Sequence, residues 1–68
     1  MADATYQKIQ MVGTSAKSLS DAISVAVAKA AEVIKNPTWF EVIEQRGAIS
    51  VGKVQQFQVT ISVGGRIE

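Results

Sequence analysis

The last quarter of the chain alternates between apolar and polar residues, which is the pattern of a β-strand with one buried face. The apolar positions are Phe57, Val59, Ile61 and Val63. The polar positions that alternate with them are Gln56, Gln58, Thr60 and Ser62. The alternation predicts a strand from Val54 to Ile67. Gly52, in the stretch just before it, marks a hairpin to the preceding strand.

Two further segments have the composition of strands. The first runs from Thr5 to Val12, and the Gly13–Ser15 sequence that follows predicts its end. The second runs from Thr38 to Ile49, with Phe40 and Val42 on one face. The positions expected on its other face are Trp39, Glu41, Ile43 and Gln45.

The segment between the first two strands has the periodicity of an amphipathic helix. Its apolar stripe consists of Leu19, Ile23, Ala26, Ala30, Val33 and Ile34. Ser18 with Asp21 three positions later is typical of a helix N-terminus. Lys35 suits the negative end of the helix dipole, and Pro37 prevents further helix. We therefore predict a helix of about 17 residues that ends at Lys35.

The predicted order is β-α-β-β, an α+β chain with a single domain over residues 1–68. We expect a three-stranded antiparallel sheet with the helix against its apolar face. A strand of ~13 residues spans about 43 Å, whereas a helix of ~17 residues covers only about 26 Å. Because the strands outrun the helix, we expect copies of the same chain to cover the remaining apolar residues and sheet edges.

Composition excludes several classes of function. The 68 residues contain no cysteine and no histidine, which excludes disulfides, zinc-finger sites and catalysis by a Cys or His nucleophile. The net charge of +1 is too balanced for an electrostatic nucleic-acid binder. The N-terminus lacks the apolar segment of a secretory signal, and no apolar run approaches the ~20 residues that span a bilayer. We expect a cytoplasmic protein that binds neither nucleic acid nor membranes.

The acidic and hydroxyl residues offer little to an active site. Glu41 and Glu44 are three apart on a predicted strand, so we expect them on opposite faces and not as a carboxylate pair. The hydroxyl residues near the helix start are Thr14, Ser15, Ser18 and Ser20. We interpret them as turn and capping residues, with an anion site at the helix N-terminus as the weaker alternative.

Trp39 is the only tryptophan and follows directly on the break at Pro37. Composition alone favours packing in the core or between subunits. The alternative is a stacking surface for a planar ligand. Gln56 and Gln58 are expected on the same sheet face, and their amides could hydrogen bond the edge of a flat heterocycle. A row of glutamines is also typical of a solvated face.

Several short motifs, each weak alone, occur in an order and spacing that are specific when taken together. They are Val12-Gly13-Thr14-Ser15, Trp39-Phe40-Glu41-Val42, Arg46-Gly47, Phe57-Gln58-Val59 and Val63-Gly64-x-Arg66. From about Thr5 to Glu68 the chain resembles the dodecin family of small flavin-binding proteins. The resemblance implies a bent three-stranded sheet that partly wraps one helix, and a hollow homododecamer of cubic symmetry.

The resemblance also implies roles for four residues. Trp39 would stack on the isoalloxazine ring of a flavin at a subunit interface, and Gln58 would hydrogen bond its pyrimidine edge. Arg46 and Arg66 match arginines that meet the phosphate of FMN. Riboflavin and FAD are the other candidate flavins, and coenzyme A is a further ligand through its phosphates.

These roles imply a non-enzymatic protein that sequesters, stores and photoprotects flavins. Two alternatives stay open. A flavin-dependent redox enzyme would need one face or edge of the ring open to its substrate and electron donor. A structural or coenzyme A-binding shell would use Trp39 only for packing.

Three positions fit the family pattern less closely. By alternation Arg46 lies on the opposite face from Trp39, which requires either a β-bulge at Gly47 or a site shared with a neighbouring subunit. A solvated surface arginine is the remaining alternative. Gly65 stands where relatives commonly carry phenylalanine, which bears on the phosphate end of the site and on local strand rigidity. Pro37 stiffens the approach to Trp39.

Overall fold

The computed structural model describes residues 3–67, which form three strands and one helix. The elements are β1 (Thr5–Ser15), α1 (Leu19–Ala30), β2 (Pro37–Ser50) and β3 (Lys53–Ile67). The predicted β-α-β-β order and α+β class are confirmed. Within residues 3–67, no helix has the length and apolar character needed to cross a membrane.

The strands form one antiparallel sheet in the order β1-β3-β2, so β3 lies in the middle. We call the side that α1 covers the helix face and the other side the open face. The helix-face residues of β3 include Val59, Ile61 and Val63. The open-face residues of the same strand include Gln58, Thr60, Ser62, Gly64 and Arg66. The helix packs over β1 and β3 and contacts β2 very little.

The core lies between α1 and the helix face of the sheet. Its buried side chains are Ala22, Ala26, Ala30, Ile34, Val59, Ile61 and Val63. Small residues let the helix approach closely, since a Cβ on Gly13 would collide with the carbonyl oxygen of Ala22 and the Cβ of Ala26. Gly13 therefore serves helix packing and not a turn. The predicted strand end at Val12 is wrong, because β1 continues in register to Ser15.

The helix is shorter than predicted, with 12 residues and an end at Ala30 instead of Lys35. The amides of Glu32 and Val33 donate to the carbonyls of Lys29 and Ala30, three residues back, at 3.0 and 2.9 Å. Hydrogen bonds with this spacing tighten the backbone and end the α-helical geometry.

The tighter turn changes which residues reach the core. Ile34 is buried as predicted, but Val33 is 65% exposed, so its place on the apolar stripe is wrong. Leu19, at the other end, is only partly buried. Ala22 is fully buried and was absent from the predicted stripe, although it lies one helical turn before Ala26.

The helix start is capped as interpreted from the sequence. The hydroxyl of Ser18 accepts a hydrogen bond from the amide of Asp21 at 3.0 Å. The hydroxyl of Ser15 donates to the Asp21 carboxylate at 2.7 Å and accepts from the amide of Lys17 at 2.9 Å. Ser15 and Ser18 are therefore confirmed as turn and capping residues.

The helix leaves the strand β2 almost uncovered. None of its residues is buried, and Phe40, Val42 and Ile49 are 46%, 40% and 76% exposed. A helix of 12 residues spans about 18 Å, whereas the molecule is 57 Å long. The difference in length between the strands and the helix is thus larger than predicted. It leaves apolar surface that folding of one chain does not bury.

A two-residue turn joins β2 to β3, as Gly52 predicts. Val51 and Gly52 have φ of 51° and 72°, between the paired residues Ser50 and Lys53. Positive φ at both positions is the type I′ geometry that hairpins favour. Glycine adopts it without strain, but the β-branched side chain of Val51 is unfavourable there.

Replacing Val51 with asparagine is expected to stabilise the protein by about 1 kcal/mol, because asparagine tolerates left-handed backbone geometry. Val51 is 95% exposed, so little packing is lost. The midpoint of urea unfolding at fixed protein concentration should rise. Gly52→Ala is the control of opposite sign, since a Cβ there meets nothing within 4 Å and adds only backbone strain. An unchanged midpoint for Val51→Asn would contradict this account of the turn.

Candidate functional site

Trp39 lies on the open face of the sheet near the start of β2, opposite Gly64 on β3. A Cβ on Gly64 would collide with the indole, and three ring carbons (Cε2, Cζ2 and Cη2) are nearly equidistant from that position. The ring therefore lies face-on over the glycine. Its side chain is 40% exposed, and it is not part of the buried core of residues 3–67.

Two side chains from β1 reach across the middle strand to residues of β2, Tyr6 to Trp39 and Lys8 to Glu41. The ring of Tyr6 meets the indole edge to face, with centroids 5.3 Å apart and planes at 63°. The Nζ atom of Lys8 lies 2.8 Å from Oε1 of Glu41, which sits two residues after Trp39 on the same face. These contacts cover β3 on the side that no helix covers, and they explain why Ser62 is only 4% exposed.

An irregularity in β2 changes which of its side chains share a face with Trp39. Pairing passes from Val42 opposite Ile61 to Glu44 opposite Thr60, so Ile43 is left without a partner. This is a β-bulge, in which one extra residue reverses the alternation of the strand beyond it.

Beyond the bulge, Arg46 pairs with Gln58 and points to the open face. The prediction that Arg46 lies opposite to Trp39 is therefore wrong, because it assumed an unbroken alternation. The proposed bulge at Gly47 is also wrong, since Gly47 pairs regularly with Phe57. Trp39, Gln58 and Arg46 all belong to the open face.

The bulge corrects two further expectations. Gln45 turns to the helix face instead of sharing a face with Trp39. Glu41 and Glu44 lie on the same face, not on opposite ones. Each has a basic neighbour: Glu41 pairs with Lys8, and the carboxylate of Glu44 lies 3.8 Å from the guanidinium of Arg46.

The four residues expected at the site form two separate pairs within one chain. Trp39 lies opposite Gly64, so Arg66 is two residues farther along β3, or about 7 Å away. We call Trp39 with Arg66 the tryptophan end. Gln58 with Arg46 forms the amide end, six residues or about 20 Å from Gly64 along β3. The structure therefore brings together the members of each pair but not the two pairs.

A cavity of about 340 Å³ opens next to Arg66 at the end of β3, and Trp39 is not among its lining residues. It is lined by Gln7, Ile34, Lys35, Asn36, Arg66 and Ile67. Two cationic side chains and two amides give this lining the chemistry of an anion site. The sequence pattern indicated Lys35 only as a helix-end residue and did not indicate Gln7 or Asn36, since only the fold brings these residues to the end of β3.

Other residues already occupy the space that a side chain at position 65 would need. A Cβ on Gly65 would lie 2.8 Å from the carbonyl oxygen of Asn36 and would collide with Cγ2 of Ile34. Gly65 pairs with Pro37 on one side, and its side-chain position faces away from that of Arg66. The glycine thus lets the segment after α1 pack on β3 just before the strand that carries Trp39.

Comparison with known proteins identifies the family. The family model for dodecin matches residues 5–68. The chain belongs to the dodecin family. A dodecin from Thermus thermophilus is 43% identical over 63 residues, which cover 93% of this chain and 91% of that one. The solved dodecin from Streptomyces davaonensis superposes with a TM-score of 0.91 at 36% identity, over 98% of each chain. The resemblance seen in the sequence motifs is confirmed.

A more distant structure is also similar. A calcium dodecin from Mycobacterium tuberculosis, described with a novel calcium-binding site, superposes with a TM-score of 0.79 at 28% identity. The superposition covers 94% of this dodecin and 91% of that chain. Between residues 3 and 67 of the present chain, no three His, Cys, Asp or Glu side chains are grouped so that they could hold a metal ion.

Proposed function

We propose that this dodecin is a non-enzymatic protein that sequesters, stores and photoprotects FMN or riboflavin-type flavins. The observation that carries the proposal is the exposed indole of Trp39, which lies face-on over Gly64 on a sheet face without a helix. A flat ring supported on one side and accessible on the other is suited to stack on a planar ligand. Membership of the dodecin family supports the same assignment.

Stacking alone does not hold such a ligand tightly. An aromatic pair contributes about 0.5–1.5 kcal/mol beyond burial, whereas a micromolar dissociation constant corresponds to about 8 kcal/mol. Burial of the ring between subunits and hydrogen bonds to its edge supply the remainder. The amide of Gln58 offers both a donor and an acceptor to the pyrimidine edge of the isoalloxazine.

The site is completed only between copies of the chain. Gln58 lies about 20 Å along β3 from the strand position under Trp39, farther than a ring stacked on that indole extends. The tryptophan end of one chain therefore combines with the amide end of another. The uncovered apolar side chains of β2 support the same association, which we propose is a hollow homododecamer. A preassembled site also lowers the entropy cost of binding.

The arginines distinguish among flavins by charge. Guanidinium groups bind phosphates through paired, charge-assisted hydrogen bonds, so Arg66 and Arg46 favour FMN over riboflavin. Coenzyme A is the second candidate ligand. The cavity beside Arg66, with Lys35 in its lining, supports a phosphate-bearing partner of that kind.

The proposed chemistry is protective and not catalytic. The electron-rich indole of Trp39 quenches the excited state of a stacked ring by electron transfer, which limits photochemistry. A redox enzyme would keep a ring face or edge open to a substrate and an electron donor. Flavins that stack in pairs between the Trp39 side chains of two neighbouring subunits, one flavin on each indole, leave no such opening.

Trp39→Leu tests the stacking role. Titration of FMN with flavin-stripped wild-type protein should quench flavin fluorescence saturably, at one flavin per chain. The variant should retain the assembly on size-exclusion chromatography, restore the emission of bound flavin and bind at least roughly tenfold more weakly. Phe40→Leu is the matched control, because Phe40 is the adjacent aromatic, is 46% exposed and faces the helix side. A Trp39→Leu protein that quenches fully would contradict the proposal.

Arg66→Gln tests the phosphate contact. The substitution should weaken FMN binding roughly tenfold, the usual scale of a charge-assisted hydrogen bond, and leave riboflavin binding unchanged because riboflavin has no phosphate. Calorimetric titration with both flavins measures the difference. Lys17→Gln, which removes an exposed cation beside the helix start, is the control. An equal loss for both flavins would show that Arg66 does not meet the phosphate.

A further inference from the structure

The orientation of Trp39 depends on residues from two other strands. β1 and β2 are not neighbours in the sheet, because β3 lies between them. Tyr6 pairs with Arg66 and Trp39 pairs with Gly64. The two partners are two residues apart on β3, so both side chains lie on the same face of the sheet. The two rings nevertheless meet at 5.3 Å, because Gly64 has no side chain between them.

Without such a contact, an aromatic side chain on an outer strand has several staggered rotamers available. Gly64 supports one face of the Trp39 indole, but this contact leaves the indole free to point in different directions over the sheet. Tyr6 approaches at 63° with an edge-to-face geometry, which is a favoured arrangement of aromatic pairs. The contact selects one of the orientations in which Trp39 lies over β3.

We propose that Tyr6 is a positioning residue that holds the Trp39 indole in the orientation required for stacking. The proposal rests on the flavin-binding function given above, and it adds a residue from β1 to the tryptophan end. Tyr6 acts through its ring and not through its hydroxyl, because the aromatic contact is the interaction that joins it to Trp39. Preorganisation of this kind lowers the cost of ordering the side chain on binding.

Tyr6→Leu tests the proposal, with Tyr6→Phe as the conservative variant that keeps the ring. Trp39 is the only tryptophan of the chain, so time-resolved anisotropy of its fluorescence in the flavin-free protein reports the mobility of this one side chain. Tyr6→Leu should add fast motion of the indole and weaken FMN binding by roughly threefold to tenfold, the scale of an aromatic pair. Tyr6→Phe should match wild type in both measurements.

The controls separate this inference from the function on which it rests. Gln10→Leu changes an exposed residue of the same face of β1 that pairs with Ser62, and it should leave both measurements unchanged. Tyr6→Met, which keeps apolar volume without a ring, is the second variant if Tyr6→Leu does not assemble. Unchanged anisotropy and affinity in the ring-deleted variant would overturn the role of Tyr6 alone. Full binding by Trp39→Leu would instead overturn the flavin site itself.

Discussion

The candidate site depends on the small size of two residues, Ser62 and Gly64, on the open face of β3. Trp39 from one outer strand and Tyr6 from the other meet across the middle strand only because Gly64 leaves room for the indole. The Lys8–Glu41 ion pair crosses the same strand beside them. On its helix face the same segment carries large buried residues, so one alternating strand holds the core on one side and the site on the other.

The sequence predicted the order of elements and the faces of β3, because strict alternation and the break at Pro37 are local signals. It could not predict the bulge at Ile43, since that residue suits a strand as well as its neighbours and the bulge exists only in the pairing with β3. Two glycines also led to wrong predictions, because their roles depend on tertiary contacts. Gly47 resembled a bulge position but pairs regularly, and Gly13 resembled a turn residue but allows close packing of the helix. The helix likewise ends at Ala30, well before the stop signal at Pro37, and the tighter turn that follows leaves Ile34 buried in the core.

The lengths of the elements connect stability to function. A helix of 12 residues leaves all of β2 without a buried residue, so the fold needs other copies to cover its apolar side chains. The same long strands separate the tryptophan end from the amide end by about 20 Å. In the proposed function, each chain carries two incomplete parts of a site, and association that buries β2 is the step that joins them. In this account, binding and assembly are inseparable.

The most direct test of that central claim is complementation between two defective chains. Trp39→Leu lacks the tryptophan end, and a chain with Gln58→Ala and Arg46→Ala lacks the amide end. Alone, neither variant should bind and quench FMN as the wild-type protein does. Co-expressed at equal levels, they should form mixed assemblies in which about a quarter of the sites join an intact tryptophan end to an intact amide end. Quenching titration of the purified mixture should therefore recover about a quarter of the wild-type capacity. No recovery in verified mixed assemblies would contradict a site shared between chains.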